Sequence, residues 1–198
     1  MGKIFYIMGK SASGKDTIFK EIKKQIPELK TIVLYTTRPI REGEKDGVEY
    51  FFVNDLELEK LKEKGKIIEC RSYHTVHGIW NYFTVDDNQI DLKTNDYLVI
   101  GTLESYEKMK EYFGKDIMVP IYIEVEDGQR LLRAIQREQM QSVPKYEELC
   151  RRFLADTKDF SEENLKKAGI TFRFFNKDMG KCVEQIILCI REKLCYTK

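Results

Sequence analysis

Histidine, proline and tryptophan are scarce in this chain, at two, four and one among 198 residues. The two histidines, His74 and His77, have no third ligand at metal-site spacing, so no histidine-based metal centre is expected. The five cysteines are odd in number and contain no C-x-x-C pair, which excludes a disulfide framework and a zinc ribbon. Cys182 and Cys189, seven apart near the end, have the spacing of core fillers on a helix. An excess of either charge is also lacking: 34 basic against 33 acidic residues leave a net charge of +1, with no global pull toward nucleic acid or membrane. No apolar run approaches the ~20 residues of a bilayer span or the apolar region of a signal peptide, so a cytoplasmic location is expected. Repeats and low-complexity tracts are absent, and the length fits one domain.

What is present begins at the N-terminus. The apolar run Ile4-Phe5-Tyr6-Ile7-Met8 leads into Gly9-Lys10-Ser11-Ala12-Ser13-Gly14-Lys15-Asp16-Thr17. Apolar Ile18, Phe19, Ile22 and Ile26 then recur at helical spacing. A strand, a glycine-rich turn and a helix N-terminus together make an anion cradle. Gly9 and Gly14 let the backbone curl so that N–H groups converge, and the helix dipole adds positive potential. Lys15 is placed to reach β- and γ-phosphate oxygens of a nucleotide such as ATP. Where this motif carries Ser or Thr to touch Mg²⁺, the chain has Asp16, a hard oxygen donor expected to ligate the ion or order a water on it.

Further along, strands alternate with helices. Strands are expected over 31–35, 48–53, 66–70, 97–100, 117–125 and 170–175, and helices over 55–64, 104–113, 127–137, 145–167 and 179–195. The aromatic-rich segment 72–84 adds short strands or loops. The continuous apolar run Tyr97-Leu98-Val99-Ile100 marks a central parallel strand. The fold class expected is α/β, with a P-loop NTPase-type parallel sheet flanked by helices. Its core is about 1–30 and 88–198, with a small β-rich insertion at about 31–87 and a helical lid at about 136–147.

In the insertion, Arg38 and Arg41 lie three apart on a polar loop with Tyr50 nearby, a pattern able to clamp a second anion. The whole stretch, T-T-R-x-x-R-x-G-E-x-x-G-x-x-Y-x-F from Thr36 to Phe52, resembles the signature of guanylate kinases, and the likeness runs along essentially the whole chain. The resemblance implies phosphoryl transfer from Mg·ATP to GMP, giving ADP and GDP. It assigns acceptor binding to Arg38, Arg41, Glu44, Tyr50, Glu69 and Gly78, with Glu69 accepting from the guanine N1–H and amino group. A carboxylate can take two such donors side by side, and adenine offers no such pair on that edge.

The resemblance also supplies the donor side. Arg130, Arg133 and Arg137 line one helix face, Gln136 to Lys145 form a mobile segment, and Arg152 follows on the next helix. Arg133, Arg137 and Arg152 match the family's phosphoryl-stabilising arginines, and Asn176 an asparagine near the nucleotides. Three departures concern the base. Leu34 replaces a small hydroxyl residue, and His77-Gly78-Ile79 replaces a Y-Y-G-[ST] turn, with Tyr82-Phe83-Thr84 a rival alignment. Gly101 stands where an acid ends the strand, the next acid being Glu104. Two alternatives therefore stay open: a kinase of this fold with another acceptor nucleotide, or a non-catalytic guanylate kinase-like binding module. A monomer or homodimer without nucleic-acid or membrane partners is expected.

Overall fold

The computed structural model describes residues 1–75 and 78–195. Its main sheet is built on β1 (Ile4–Met8), whose five residues are all buried. β1 lies between β7 (Tyr97–Ile100) and β8 (Met118–Glu124), all parallel. The edges are β2 (Lys30–Thr31) beside β7 and β9 (Phe174–Phe175) beside β8, for an order β2-β7-β1-β8-β9.

Alternation along β1 divides the core between the sheet's two faces. Ile4, Tyr6 and Met8 pack with Tyr106 and Met109 of α3 (Leu103–Phe113), and with Phe160 and Leu165. Phe5 and Ile7 pack on the other face, with Ile18 and Ile22 of α1 (Lys15–Gln25) and with Val183, Ile186 and Ile190 of α7 (Met179–Cys195). Each of these fully buried side chains is worth about 1.5–3 kcal/mol of transfer free energy, so helices cover the sheet on both sides.

A second sheet of order β4-β3-β6-β5 holds β3 (Tyr35–Thr36), β4 (Phe51–Phe52), β5 (Ile67–Thr75) and β6 (Gly78–Val85). Phe83 and Val85 of this sheet pack on Leu58 of α2 (Asp55–Glu63). Among the described residues, no helix is long and apolar enough to cross a membrane.

The structure redraws several expected elements. The strand expected over 31–35 is two short ones in different sheets, because the Gln89 side-chain amide bonds both the N–H and the C=O of Val33 in place of a strand neighbour. The strand expected over 48–53 shrinks to β4, since Asp46 takes the Phe52 N–H and Glu49 the Lys45 N–H within a turn. The helix expected over 145–167 is two, α5 (Tyr146–Asp159) and α6 (Glu162–Lys167). Ser161 adopts an extended backbone there and caps α6 by accepting from the Asn164 N–H. Only Phe174–Phe175 of the expected strand 170–175 pairs with β8.

Helix α4 (Asp127–Gln139) runs past the expected start of the lid. Its buried Glu138 accepts from the Lys145 N–H at 2.6 Å, tying the 140–145 turn back to the helix. The turn replacement at His77 lies partly outside the described residues.

Candidate active site

The loop between β1 and α1 curls at the carboxyl end of the central strand, where open parallel sheets receive ligands. Gly14 sits at φ +88°, and a Cβ there would come within 2.6 Å of Asn176 Nδ2. Ala12 also takes positive φ, 61°, an uncommon state for a residue with a side chain and one that concentrates at ligand-holding turns. Asn176 Nδ2 donates to the Ser13 carbonyl at 2.8 Å, and its own N–H to the Glu124 carbonyl at 2.9 Å, so this side chain holds the loop itself.

The loop's other flank is braced by ions. The Ser11 N–H donates to Asp156 at 2.6 Å, and Arg130 bonds the Ser11 carbonyl, Asp156 and Asp127. Lys10 adds a bond to Asp127, and the Arg130 guanidinium stacks 4.4 Å from the Phe153 ring centre. Asp127 is held below the usual carboxylate range, since its partial burial is outweighed by the bonds from Arg130 and Lys10.

Within this frame is a cavity of about 330 Å³ lined by Ser11, Ala12, Gly14, Lys15, Asp16 and Thr17 together with Arg133, Arg137 and Arg152. Three arginines from two further helices, α4 and α5, thus join Lys15 of α1 at the main-chain cradle. Ser13 Oγ, Asn176 Oδ1 and Arg152 Nε are buried with no hydrogen-bond partner among the described residues. Each such orphan costs about 1–3 kcal/mol unless something else supplies a partner; Ser13 Oγ and Arg152 Nε can donate to an anionic ligand, whereas Asn176 Oδ1 can only accept. Asp16 is 80% exposed at the cavity rim, 4.0 Å from Lys15 Nζ.

Arg130 departs from the arginine stripe expected on α4. It is 1% exposed and bonded into the loop, whereas Arg133 is half-buried with one bond to the Asn176 carbonyl and Arg137 is exposed.

Strand pairing sorts the second sheet by face. Thr36 pairs with Phe52 and Tyr82, Arg71 with Tyr82, and Glu69 with Thr84, so these residues share the face opposite Phe83 and Val85. At one end of that face, buried Arg38 bonds Glu44 at 2.8 Å, and its guanidinium lies 5.7 Å from the Tyr50 ring and 5.5 Å from Phe52. Glu44 also accepts from the Arg41 N–H, shaping the loop, while the Arg41 side chain is exposed. Burial raises the Tyr50 pKa; the neighbouring Tyr82 raises it further, and the charges of Arg71 and Arg38 lower it.

At the other end, the buried Glu69 carboxylate accepts from Arg71 Nε at 2.9 Å, Arg71 Nη2 at 3.4 Å and Thr84 Oγ1 at 2.8 Å. Gly78 is not brought to this cluster. It lies at the exposed end of the β5–β6 hairpin, six residues along the strand pairing from Glu69, about 20 Å away at strand rise.

The guanylate kinase family profile matches residues 1–161, including the loop after β1, the Arg38–Tyr50 stretch and α4. The chain belongs to the guanylate kinase family. Related guanylate kinases include those of Thermobifida fusca, 42% identical over 36% of this chain, and Thermotoga maritima, 32% identical over 62%. Those two matches span 36% and 49% of the relatives' own length. The guanylate kinase of Caldanaerobacter subterraneus is 27% identical over 98% of this chain and 89% of its own. In fold, the chain is similar to the crystal structure of guanylate kinase from Anaplasma phagocytophilum, with TM-score 0.66, 24% identity, and coverage of 97% of this chain and 86% of the other.

Sequence reasoning missed the loop brace Asp127–Arg130–Asp156 and the Arg71 and Thr84 partners of Glu69. The strand period held a signal for Arg71, which stands two residues after Glu69 and so on the same side. Nothing in the sequence ties Asp156 to Ser11, 145 residues away.

Proposed function

We propose that this guanylate kinase family member transfers the γ-phosphoryl group of Mg·ATP to GMP, forming ADP and GDP. The observation that carries the reading is the convergence of Lys15, Arg133, Arg137 and Arg152 on the cradle after β1, alongside the buried Arg38 that Glu44, Tyr50 and Phe52 hold in the second sheet. In this reading, main-chain N–H groups from Gly9 to Thr17 hold the ATP phosphates, and Asn176 keeps that cradle in shape. Arg38, Arg41 and Tyr50 grip the acceptor phosphate, with Glu44 orienting both arginines. A phosphate oxygen of GMP bonds to the γ-phosphorus as the bond to ADP breaks, in line. Catalysis is positioning and electrostatic stabilisation, with Lys15, Arg133, Arg137 and Arg152 facing the charge that spreads over the phosphoryl oxygens. Closure of the region around 136–147 over the cavity excludes water, the competing acceptor.

Among the described residues no group of three potential His, Cys, Asp or Glu metal ligands exists, so Mg²⁺ would be held by Asp16 together with nucleotide oxygens. That donor set fits a hard ion that keeps few protein ligands. The metal would supply neutralisation of phosphate charge.

The test is a coupled ATP-consumption assay across GMP, dGMP, AMP, UMP and CMP. Turnover with GMP above all others is expected, and no turnover with any of them would leave a binding module. In the same assay Lys15→Ala lowers kcat by about 10²–10³ while sparing GMP binding, and Arg41→Ala chiefly raises KM for GMP. The reverse pattern contradicts the assignments.

A further inference from the structure

An acid in the last turn of a helix is at odds with the helix dipole. Glu138 stands next to the end of α4 (Asp127–Gln139), where the partial negative charge of the carbonyl groups disfavours a carboxylate. It is also 3% exposed, so its charge is taken out of water. The turn that follows offsets both costs. One carboxylate oxygen of Glu138 accepts from the Lys145 N–H at 2.6 Å and the other from Gln141 Nε2 at 3.3 Å, while the Glu138 carbonyl takes the Gln141 N–H at 3.1 Å.

Lys145 directly precedes α5 (Tyr146–Asp159), and its own side chain makes no capping bond there. Residues 139–148 are all exposed, so no buried side chain of the turn anchors the start of α5. The Glu138 carboxylate is thus a cap lent by one helix to the next, at the amino end of α5, where the dipole favours an anion. The far half of α5 has a separate anchor, through Asp156 on the Ser11 N–H and Phe153 against Arg130. Arg152 lies between these two anchors, and Arg137 is adjacent to Glu138 in the chain. Both arginines line the cavity at the cradle, with Arg133.

We propose that Glu138 is a positioning residue for phosphoryl transfer: through the Lys145 N–H it clamps α4 to α5, so that Arg133, Arg137 and Arg152 meet at one phosphoryl group. This rests on the phosphoryl-transfer reading above. Glu138 itself touches neither nucleotide and acts only through the arginines. Misplacing a catalytic group by about 1 Å can cost roughly a hundredfold in rate. Loss of one of the two α5 anchors, with the other intact, is expected to cost about tenfold.

The experiment measures kcat and KM for GMP with saturating Mg·ATP, on the full chain, for wild type, Glu138→Ala and Glu138→Gln. Glu138→Ala is expected to lower kcat by about tenfold and to leave KM for GMP within about twofold, because Arg38, Arg41 and Tyr50 lie in or beside the second sheet. A kcat loss below about fivefold, or a KM for GMP that rises as much as kcat falls, overturns the proposal. Glu138→Gln keeps a carbonyl oxygen for the Lys145 N–H, so its kcat stays closer to wild type than to Glu138→Ala. A glutamine variant as impaired as the alanine one overturns the proposal, since a charge or packing role would then explain both. Should Glu138→Ala fail to fold by circular dichroism, amide hydrogen exchange on the wild type decides: slowing of the Lys145 N–H by more than about tenfold relative to an unstructured chain supports the clamp, and less overturns it. If the wild type leaves GMP unphosphorylated, the failure belongs to the parent reading, and the same exchange measurement still judges the clamp.

Discussion

Two arginines one turn apart on α4 perform different work, and replacing each with methionine separates them. Arg130 is 1% exposed and pairs with Asp127 and Asp156, whose side chains are 46% and 18% exposed. Removing one member of a buried pair costs about 3–5 kcal/mol, which the exposure of Asp127 reduces to roughly 2–3 kcal/mol. Lost stacking on Phe153 adds about 1 kcal/mol. At ~2–4 °C per kcal/mol for a chain of this size, Arg130→Met lowers the melting temperature by about 10 °C. Arg133 makes a single 3.3 Å bond to a carbonyl, so Arg133→Met shifts melting by no more than about 3 °C. Its effect is expected in turnover instead, a loss of about 10²–10³ in the coupled assay. Thermal unfolding by calorimetry and the coupled assay on both variants provide the check. Melting of Arg130→Met within about 2 °C of wild type would refute the brace argument, and equal stability losses in the two variants would refute the division of labour.

Three further expectations concern single groups. Asp16→Ser exchanges one hard oxygen ligand for another and retains turnover at saturating Mg²⁺; a dead Asp16→Ser beside an active Asp16→Asn would rule out a metal role. Glu44 is held below its ordinary pKa of 4.5, first by the hydrogen bond from Arg38, so its stabilisation is complete above that value and disappears as pH falls through the lower folded value. Acid unfolding should therefore lose about 1 kcal/mol of its pH dependence in Glu44→Gln, and an unchanged acid limb counts against the pair. Burial pushes the Cys182 thiol up to about 11, whereas Cys150 and Cys195 are exposed, so a thiol reagent at neutral pH should label the latter two rapidly and Cys182 only on unfolding. Fast labelling of Cys182 would mean that α7 does not pack as described.

Local order in the chain was sufficient for the frame. A five-residue apolar strand, two glycines five apart and an amphipathic helix specify the anion cradle because each acts through its own backbone, and the alternating strands and helices specify a covered parallel sheet. The Arg38–Tyr50 stretch was legible for the same reason, since its loop closes on itself through Glu44. Tertiary structure alone decided what distant partners do to those groups. The Gln89 amide broke an apparent strand at Val33, and Asp156 anchored Ser11 from the far end of α5. An arginine stripe that looked uniform became one buried brace and two cavity cations, because burial depends on what packs across a helix and not on its period. At Glu69 the carboxylate was visible in the sequence, but its burial and its partners Arg71 and Thr84 were not, one a neighbour on its own strand and the other reached only through strand pairing.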